Sequence, residues 1–266
     1  MINMQKSRVL IIAGSDPSGG AGIQADIKTV TALGCYAAAA ITALTAQNTT
    51  GVFGVMEVPP AFVKQQVSLV LEDIGADCIK TGMLHNTKII EALAELLSQY
   101  NDIPFILDPV MVATSGDLLI KGESPVNAMQ TLLFPLATLV TANIPEAKIL
   151  SGINITDTKT MIKAGEMILT HGAKNALVKG GHMDGDVVQD ILVSSDGSFK
   201  IFEHNRINSR NTHGTGCTLA SAIACGIAKG GSLKDSIIKA RKYVYEAIRT
   251  APGFGKGKGP LNHLVG

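Results

Sequence analysis

Short apolar runs alternate along this chain with stretches of helical periodicity. RVLIIAG is a continuous apolar run closed by Gly, the pattern of a strand buried on both faces. GGAGIQADIKTVTALG follows, with Ile23, Ile27, Val30 and Leu33 at helical spacing and Gly34 as a stop. YAAAAITALTAQN is rich in alanine, but its place in a helix–Gly–apolar order predicts a second strand. DCIKTGM, PFILDPVM, TLVTANIPE and NALVKGGH are four more apolar runs, each closed by a polar or glycine-containing turn. Helical patterns lie between them, over residues 61–71, 87–97, 126–133, 146–150 and 158–170. The alternation predicts an α/β fold, a mostly parallel central sheet with helices on both faces. VQDILVSSDGSFKIFEH differs: SDG between two alternating runs predicts a small β-hairpin near residues 188–205. Two helices follow, near 214–229 and 233–250, and GFGKGKGPLNHLVG reads as loop. No linker, repeat or low-complexity segment divides residues 1–266, which predicts a single domain.

Ligands of open parallel sheets bind beyond the carboxyl ends of the strands. Asp16, Gln47, Thr81, Asp108, Asn143, Glu146 and Lys179 stand at those ends, so several of them are expected in one crevice. Composition narrows the chemistry. With 46% hydrophobic and 17% charged residues the chain is globular. A net charge of +1, 4% aromatic residues and no Trp leave neither a basic stripe nor a stacking platform, which argues against nucleic acid. The four cysteines, at 35, 78, 217 and 225, form no CxxC pair, which fits a reducing compartment. VLIIAG is too short for a signal-peptide core and CYAAAAITALTA for a membrane span, so a cytoplasmic protein without a membrane partner is expected.

Individual motifs carry less. Gly20-Ala21-Gly22-Ile23-Gln24-Ala25 matches a dinucleotide fingerprint, but no Asp or Glu occurs between Asp26 and Glu57 to hold a ribose, and the loop ahead of it is long. Those glycines have a simpler use in close helix packing. No Walker motif occurs. HGTGC offers another phosphate cradle: Gly214, Thr215 and Gly216 can turn backbone N–H groups inward at a helix start, although a glycine turn with a threonine cap would read the same. Asp108 in LDPVM and Glu146 in NIPE are carboxylates at strand ends, able to hold Mg²⁺ directly or through water, or simply to cap a helix. Lys179 could balance phosphate charge. The six histidines show no HExxH spacing, and His182 and His213 read as caps or hydrogen-bond partners. Cys217 at a helix start is expected to have a lowered pKa; Cys225, two turns on, reads as a small buried residue.

Together these stretches resemble the ribokinase-like family and, within it, the hydroxymethylpyrimidine/phosphomethylpyrimidine kinases of bacterial thiamine biosynthesis. IAGSDPSGGAGIQADIKT, ITALTAQNT, KTGML, LDPVM, NIPEA, VKGGH, NTHGTGC and GKGKGP carry the resemblance over nearly the whole chain. It implies a ribokinase-like sheet on a nine-strand scale, ATP as donor, Mg²⁺, a homodimer, and two successive transfers to a small pyrimidine. It also implies roles. Gln47 would read the aminopyrimidine edge, with Gly14, Asp26 and Met83 lining its pocket. Asp108 and Glu146 would belong to the metal side, Lys179 to phosphate charge, Gly214, Thr215 and Gly216 to an anion hole, and Cys217 to the catalytic base. Pyridoxal kinase is the nearest alternative, since a branch of those enzymes shares the pattern. TAQNT favours the pyrimidine, because Gln offers one donor and one acceptor to a ring nitrogen beside an amine. A degenerate kinase fold serving as a binding module is the other alternative, against which Asp108, Lys179 and Cys217 argue.

Overall fold

The computed structural model describes residues 7–111 and 124–265; the first six residues, ahead of the run RVLIIAG, lie outside it. β1 (Arg8–Ala13) is the run RVLIIA. Leu10 and Ile12 enter one core layer while Val9, Ile11 and Ala13 enter the other, as a strand covered on both sides requires. The remaining order is α1 (Gly22–Ala32), β2 (Tyr36–Ile41), β3 (Ala43–Asn48), β4 (Gly51–Glu57), α2 (Pro60–Asp73), β5 (Cys78–Thr81), α3 (Thr87–Leu97) and β6 (Phe105–Leu107). Then come α4 (Ser124–Ala128), β7 (Leu139–Asn143), α5 (Ile144–Ser151), α6 (Thr158–Leu169), β8 (Asn175–Lys179), β9 (Val187–Ser194), β10 (Phe199–Asn205), α7 (Thr215–Ala228) and α8 (Leu233–Arg249).

The central sheet has eight strands in the order β10-β9-β8-β7-β6-β5-β1-β2. From β2 to β8 all neighbours are parallel. β9 and β10, the hairpin expected near 188–205, extend this sheet as its antiparallel edge. The chain lays β2 on one side of β1 and β5 on the other, so the strand order reverses beside β1. A crevice opens beyond the carboxyl ends of strands at such a reversal. Helices α1, α7 and α8 cover one face, with Ile23, Val30, Ile223 and Val244 against Val9 and Ile11. Helices α2, α3, α5 and α6 cover the other, with Val63, Ile89, Leu93 and Met161 in the layer of Leu10 and Ile12.

Two features depart from the sequence pattern. YAAAAITALTAQN is two strands, turning at Thr42, whose hydroxyl donates to the Met83 carbonyl at 2.6 Å. β3 then pairs antiparallel with β4 in a separate two-stranded sheet. The nine-strand scale is therefore eight strands plus this projecting pair.

One charge interrupts an apolar strand. Lys80 on β5 is fully buried beneath α1 and α7. Asp26 of α1 accepts from its ammonium at 2.8 and 2.9 Å, and Ser221 of α7 donates to the same carboxylate at 2.7 Å. Burial works against the Lys80 charge, but the attraction of Asp26 and then Cys217 and Asp108 outweighs it and holds the pKa above the usual lysine range.

Candidate active site

A cleft of about 620 Å³ opens where the strand order reverses. Its wall includes Gly14 and Asp16 after β1, Gly82 and Met83 after β5, Asp108 after β6, Asn143 and Glu146 at the β7–α5 junction, and Lys179 at the end of β8. Thr81 stays behind this wall, fully buried, and its neighbour Gly82 takes the place expected of it. Gly14 is where the Met83 methyl rests: a Cβ there would lie 2.2 Å from it.

The β3–β4 pair overhangs the cleft and brings Gln47 to it. The register shifts between Ala46 and Gln47, which leaves Phe53 as the extra residue of a β-bulge. A bulge re-aims the neighbouring side chains. Thr45 lies below, its hydroxyl 2.8 Å from the Ser15 carbonyl and 3.2 Å from Gln47 Oε1. A hydroxyl has one proton to donate. The shorter contact takes it, so the Gln47 amide keeps hydrogen-bonding capacity for a ligand.

Opposite stands the turn NTHGTGC. Gly214 is the N-cap of α7 at φ 80°, a left-handed conformation that favours glycine, and no side chain caps the helix. A Cβ at Gly214 would meet the Gly20 carbonyl oxygen at 1.7 Å. The glycines of SDPSGGAG therefore serve close packing of two loops. The first-turn amides of Gly216 and Cys217 have no partner within the helix and add to its positive end, a ready acceptor of anions.

The charged groups lie beside this turn. A Cβ on Gly216 would be 3.3 Å from Lys179 Nζ and 3.7 Å from Asp108 Oδ2. Lys179 donates to Asp108 at 2.8 Å and lies 4.0 Å from Glu146. Burial opposes the charge of Asp108, but Lys179 and Lys80, with hydrogen bonds from Lys179 and Thr141, hold its carboxyl below the usual range. Burial likewise opposes the charge of Lys179, and Asp108 and Glu146 together outweigh it. Glu146 differs. Its Oε2 accepts the Asn143 N–H at 2.9 Å while Asn143 Oδ1 accepts the Glu146 N–H at 2.9 Å, a complete capping box. Burial pushes its pKa up to about 7, against the pull of Lys179 and with the push of Asp108.

Two expectations need correction. Asp26 is absent from the cleft wall, because it is consumed in neutralising Lys80 beneath it. Cys217 lines the cleft, but its pKa is raised, to about 12, rather than lowered. Burial is the main cause. Asp26 and Asp108 add to it, while Lys80 and a backbone hydrogen bond from Gly22 oppose it. The helix start alone does not make a thiolate here.

The architecture is matched among known proteins. The family model described as phosphomethylpyrimidine kinase matches residues 16–262. The chain belongs to that family. The kinase is 50% identical over 261 residues to the thiamine biosynthesis bifunctional protein ThiED of Geobacter sulfurreducens, covering 98% of this chain and 53% of that protein, so it spans about half that relative's length. It is 44% identical over 256 residues to the hydroxymethylpyrimidine/phosphomethylpyrimidine kinase of Streptomyces coelicolor, covering 96% of this chain and 93% of that one. An ADP complex of Bacillus subtilis pyridoxal kinase matches the fold with a TM-score of 0.89 at 31% identity, over 97% of this chain and 98% of that one.

Sequence reasoning undervalued one pair in this kinase. His213 Nε2 lies 2.7 Å from Asp16 Oδ2, and both side chains are buried. Asp16 also accepts from Ser18 and the Ala21 N–H, so it ties the loop after β1 to the turn before α7. Arg206, which drew no attention in the sequence, donates to the carbonyls of Gly181, Met183 and Gly185 on the opposite rim. Neither signal is local, since each partner lies far along the chain or is a backbone carbonyl.

Proposed function

We propose that this kinase transfers the γ-phosphoryl group of ATP first to the hydroxymethyl oxygen of 4-amino-5-hydroxymethyl-2-methylpyrimidine and then to the resulting monophosphate, giving the diphosphate used in thiamine biosynthesis. One observation carries the reading: the uncapped start of α7, the Lys179–Asp108 pair and Gln47 all face one cleft. Phosphoryl transfer needs positioning and electrostatic stabilisation above all. Gln47 orients the pyrimidine through paired hydrogen bonds, with Gly14 and Met83 beside the ring. The amides of Gly214, Gly216 and Cys217 hold the transferring phosphoryl group, the Thr215 N–H being engaged by the Thr212 carbonyl at 3.3 Å, and Lys179 offsets its charge. Cys217, in its minor thiolate form, accepts the alcohol proton as the new bond forms and becomes the thiol.

Asp108 and Glu146 fit a Mg²⁺ partner. Among the described residues no group of three or more His, Cys, Asp and Glu side chains could hold a metal ion. Two carboxylates that leave most positions to phosphate and water suit Mg²⁺, which keeps its waters and binds through one or two carboxylates. When bound, the ion offsets phosphate charge.

The proposal includes a single catalytic domain acting as a cytoplasmic homodimer. Exposed Leu44 and Met56, directly opposite each other on the β3–β4 pair, supply an apolar face for a second copy; light scattering tests it. No helix among the described residues is long and apolar enough to cross a membrane. Pyridoxal phosphorylation is the second reading, favoured by the 0.89 TM-score to a pyridoxal kinase. The test is kcat/KM for the pyrimidine alcohol, its monophosphate and pyridoxal, each with ATP and Mg²⁺. Higher efficiency on pyridoxal would reverse the order of the two readings.

A further inference from the structure

The tail GFGKGKGP has so far no role in the chemistry. In the structure it is a strap between the two halves of the cleft. The Gly257 N–H donates to Thr49 Oγ1 at 3.2 Å and the Lys258 N–H to the Thr49 carbonyl at 3.1 Å, two residues beyond Gln47. At the other end the Gly259 carbonyl accepts the His213 N–H at 3.1 Å, and Pro260 bridges to His213. The approach to the β3–β4 tip is close: a Cβ on Gly257 would lie 1.9 Å from the Thr49 carbonyl oxygen. Lys258 is thereby fixed between the strands that carry Gln47 and the turn that opens α7, and it lines the cleft.

The other cations of the cleft wall are already committed. Lys179 is bound to Asp108, Arg206 to three carbonyls, and Arg241 to Asp190 and the Phe202 carbonyl. Among the described residues Lys258 is the cleft-lining Lys or Arg whose side chain has neither a carboxylate nor a carbonyl partner. The two transfers make different demands on such a group. The alcohol enters neutral. The monophosphate has a second pKa of about 6 and enters largely as a dianion. It adds about two negative charges beside a turn that must also hold the transferring phosphoryl group.

We propose that Lys258 is the subsite for the phosphate of the phosphoester acceptor, and so sets the affinity for the second transfer over the first. The inference rests on the two-step reading above. In that second step a phosphate oxygen of the monophosphate bonds to the γ-phosphorus, the bond from that phosphorus to the bridging oxygen breaks, and ADP leaves with the electron pair. No proton is removed from the dianion. A lysine ammonium on a flexible stem is a mobile point charge, suited to an anion present in only one of two acceptors.

The test is steady-state kinetics of Lys258→Met and Lys258→Arg on both acceptors, with calorimetric binding of the monophosphate in the absence of nucleotide. A hydrogen bond to a charged group supports a loss of about tenfold to hundredfold. The Met variant should raise KM and Kd for the monophosphate by that factor, an order of magnitude more than it changes KM for the alcohol, and Arg should restore most of it. Gly257→Ala, which displaces the strap while keeping Lys258, should reproduce the selective loss. Equal losses on both acceptors, a rise confined to KM for ATP, or an unchanged monophosphate Kd in the Met variant would overturn the assignment. A wild-type protein that phosphorylates neither acceptor would instead refute the two-step reading.

Discussion

Replacing Cys217 by Ala tests whether a half-buried thiol with a raised pKa can serve as base. With its pKa near 12, only about 3 in 100,000 molecules carry the thiolate at about pH 7.5, and ionising it there costs about 6 kcal/mol. That cost is set against the benefit of a strong base, and general base catalysis is typically worth 10²–10⁴-fold. The benefit should fall near the low end, about 10²-fold, on the alcohol. The monophosphate, already ionised above about pH 6, should lose far less. The sign of the pH dependence follows. A raised thiol pKa means that each unit of pH up to about 12 brings tenfold more thiolate. Above the titration of Glu146 at about 7, the wild-type alcohol rate should therefore rise with a slope near one from about pH 8 to 9, while the monophosphate rate stays flat. Cys217→Asp, an intrinsically much stronger acid than a thiol, should flatten the alcohol profile. The assay is single-turnover kinetics on each acceptor across pH, with folding checked by thermal melting. A unit slope that survives in Cys217→Ala, or equal fractional losses in both transfers, would remove the thiol as base and leave it a positioning role at the helix start.

Other outcomes follow from the same geometry. Gln47→Met removes a donor and an acceptor at similar volume, so pyrimidine kcat/KM should fall about tenfold or more while pyridoxal loses much less; parallel losses would assign Gln47 to the fold. Lys80→Met strands the fully buried Asp26 and should cost about 3–5 kcal/mol in urea unfolding, with Lys80→Met/Asp26→Asn recovering most of it. A double variant as unstable as the single would place the loss in the packing of the lysine stem. His263 is 6% exposed, and burial, then Lys28, hold its pKa down at about 4 against 6.5 unfolded. Between those values the unfolded chain binds the extra proton, so stability is fully present above pH 6.5 and falls as pH drops towards 4, by about 3 kcal/mol in all. Melting curves of His263→Gln should fall less steeply over that window; identical slopes would contradict the assignment.

The sheet was legible because its strands are buried on both faces, and RVLIIAG needs no partner information to be read as one. Polar residues at strand ends mark the cleft for the same reason: a strand that stops at Asp108 or Lys179 leaves that side chain at the carboxyl edge. β4 escaped because GVFGVME has two glycines and projects from the main sheet, with Phe53 and Met56 exposed, so it shows no alternation against a core. The role of Asp26 was misjudged because its partner Lys80 lies 54 residues away and sits inside a run that reads as apolar. The helix-start argument for Cys217 was locally sound but omitted the burial and the two carboxylates that only the fold brings near. The strap at Lys258 joins residues 257–260 to Thr49 and His213, partners too far along the chain for any local pattern.

The central claim is that one cleft performs two successive transfers on a pyrimidine. The direct measurement is a time course on the purified protein with ATP, Mg²⁺ and the pyrimidine alcohol alone, following phosphorus species by NMR. The account predicts that the monophosphate ester appears first, peaks, and gives way to the diphosphate, with two ADP formed per pyrimidine consumed. A monophosphate that accumulates without ever yielding diphosphate would contradict it.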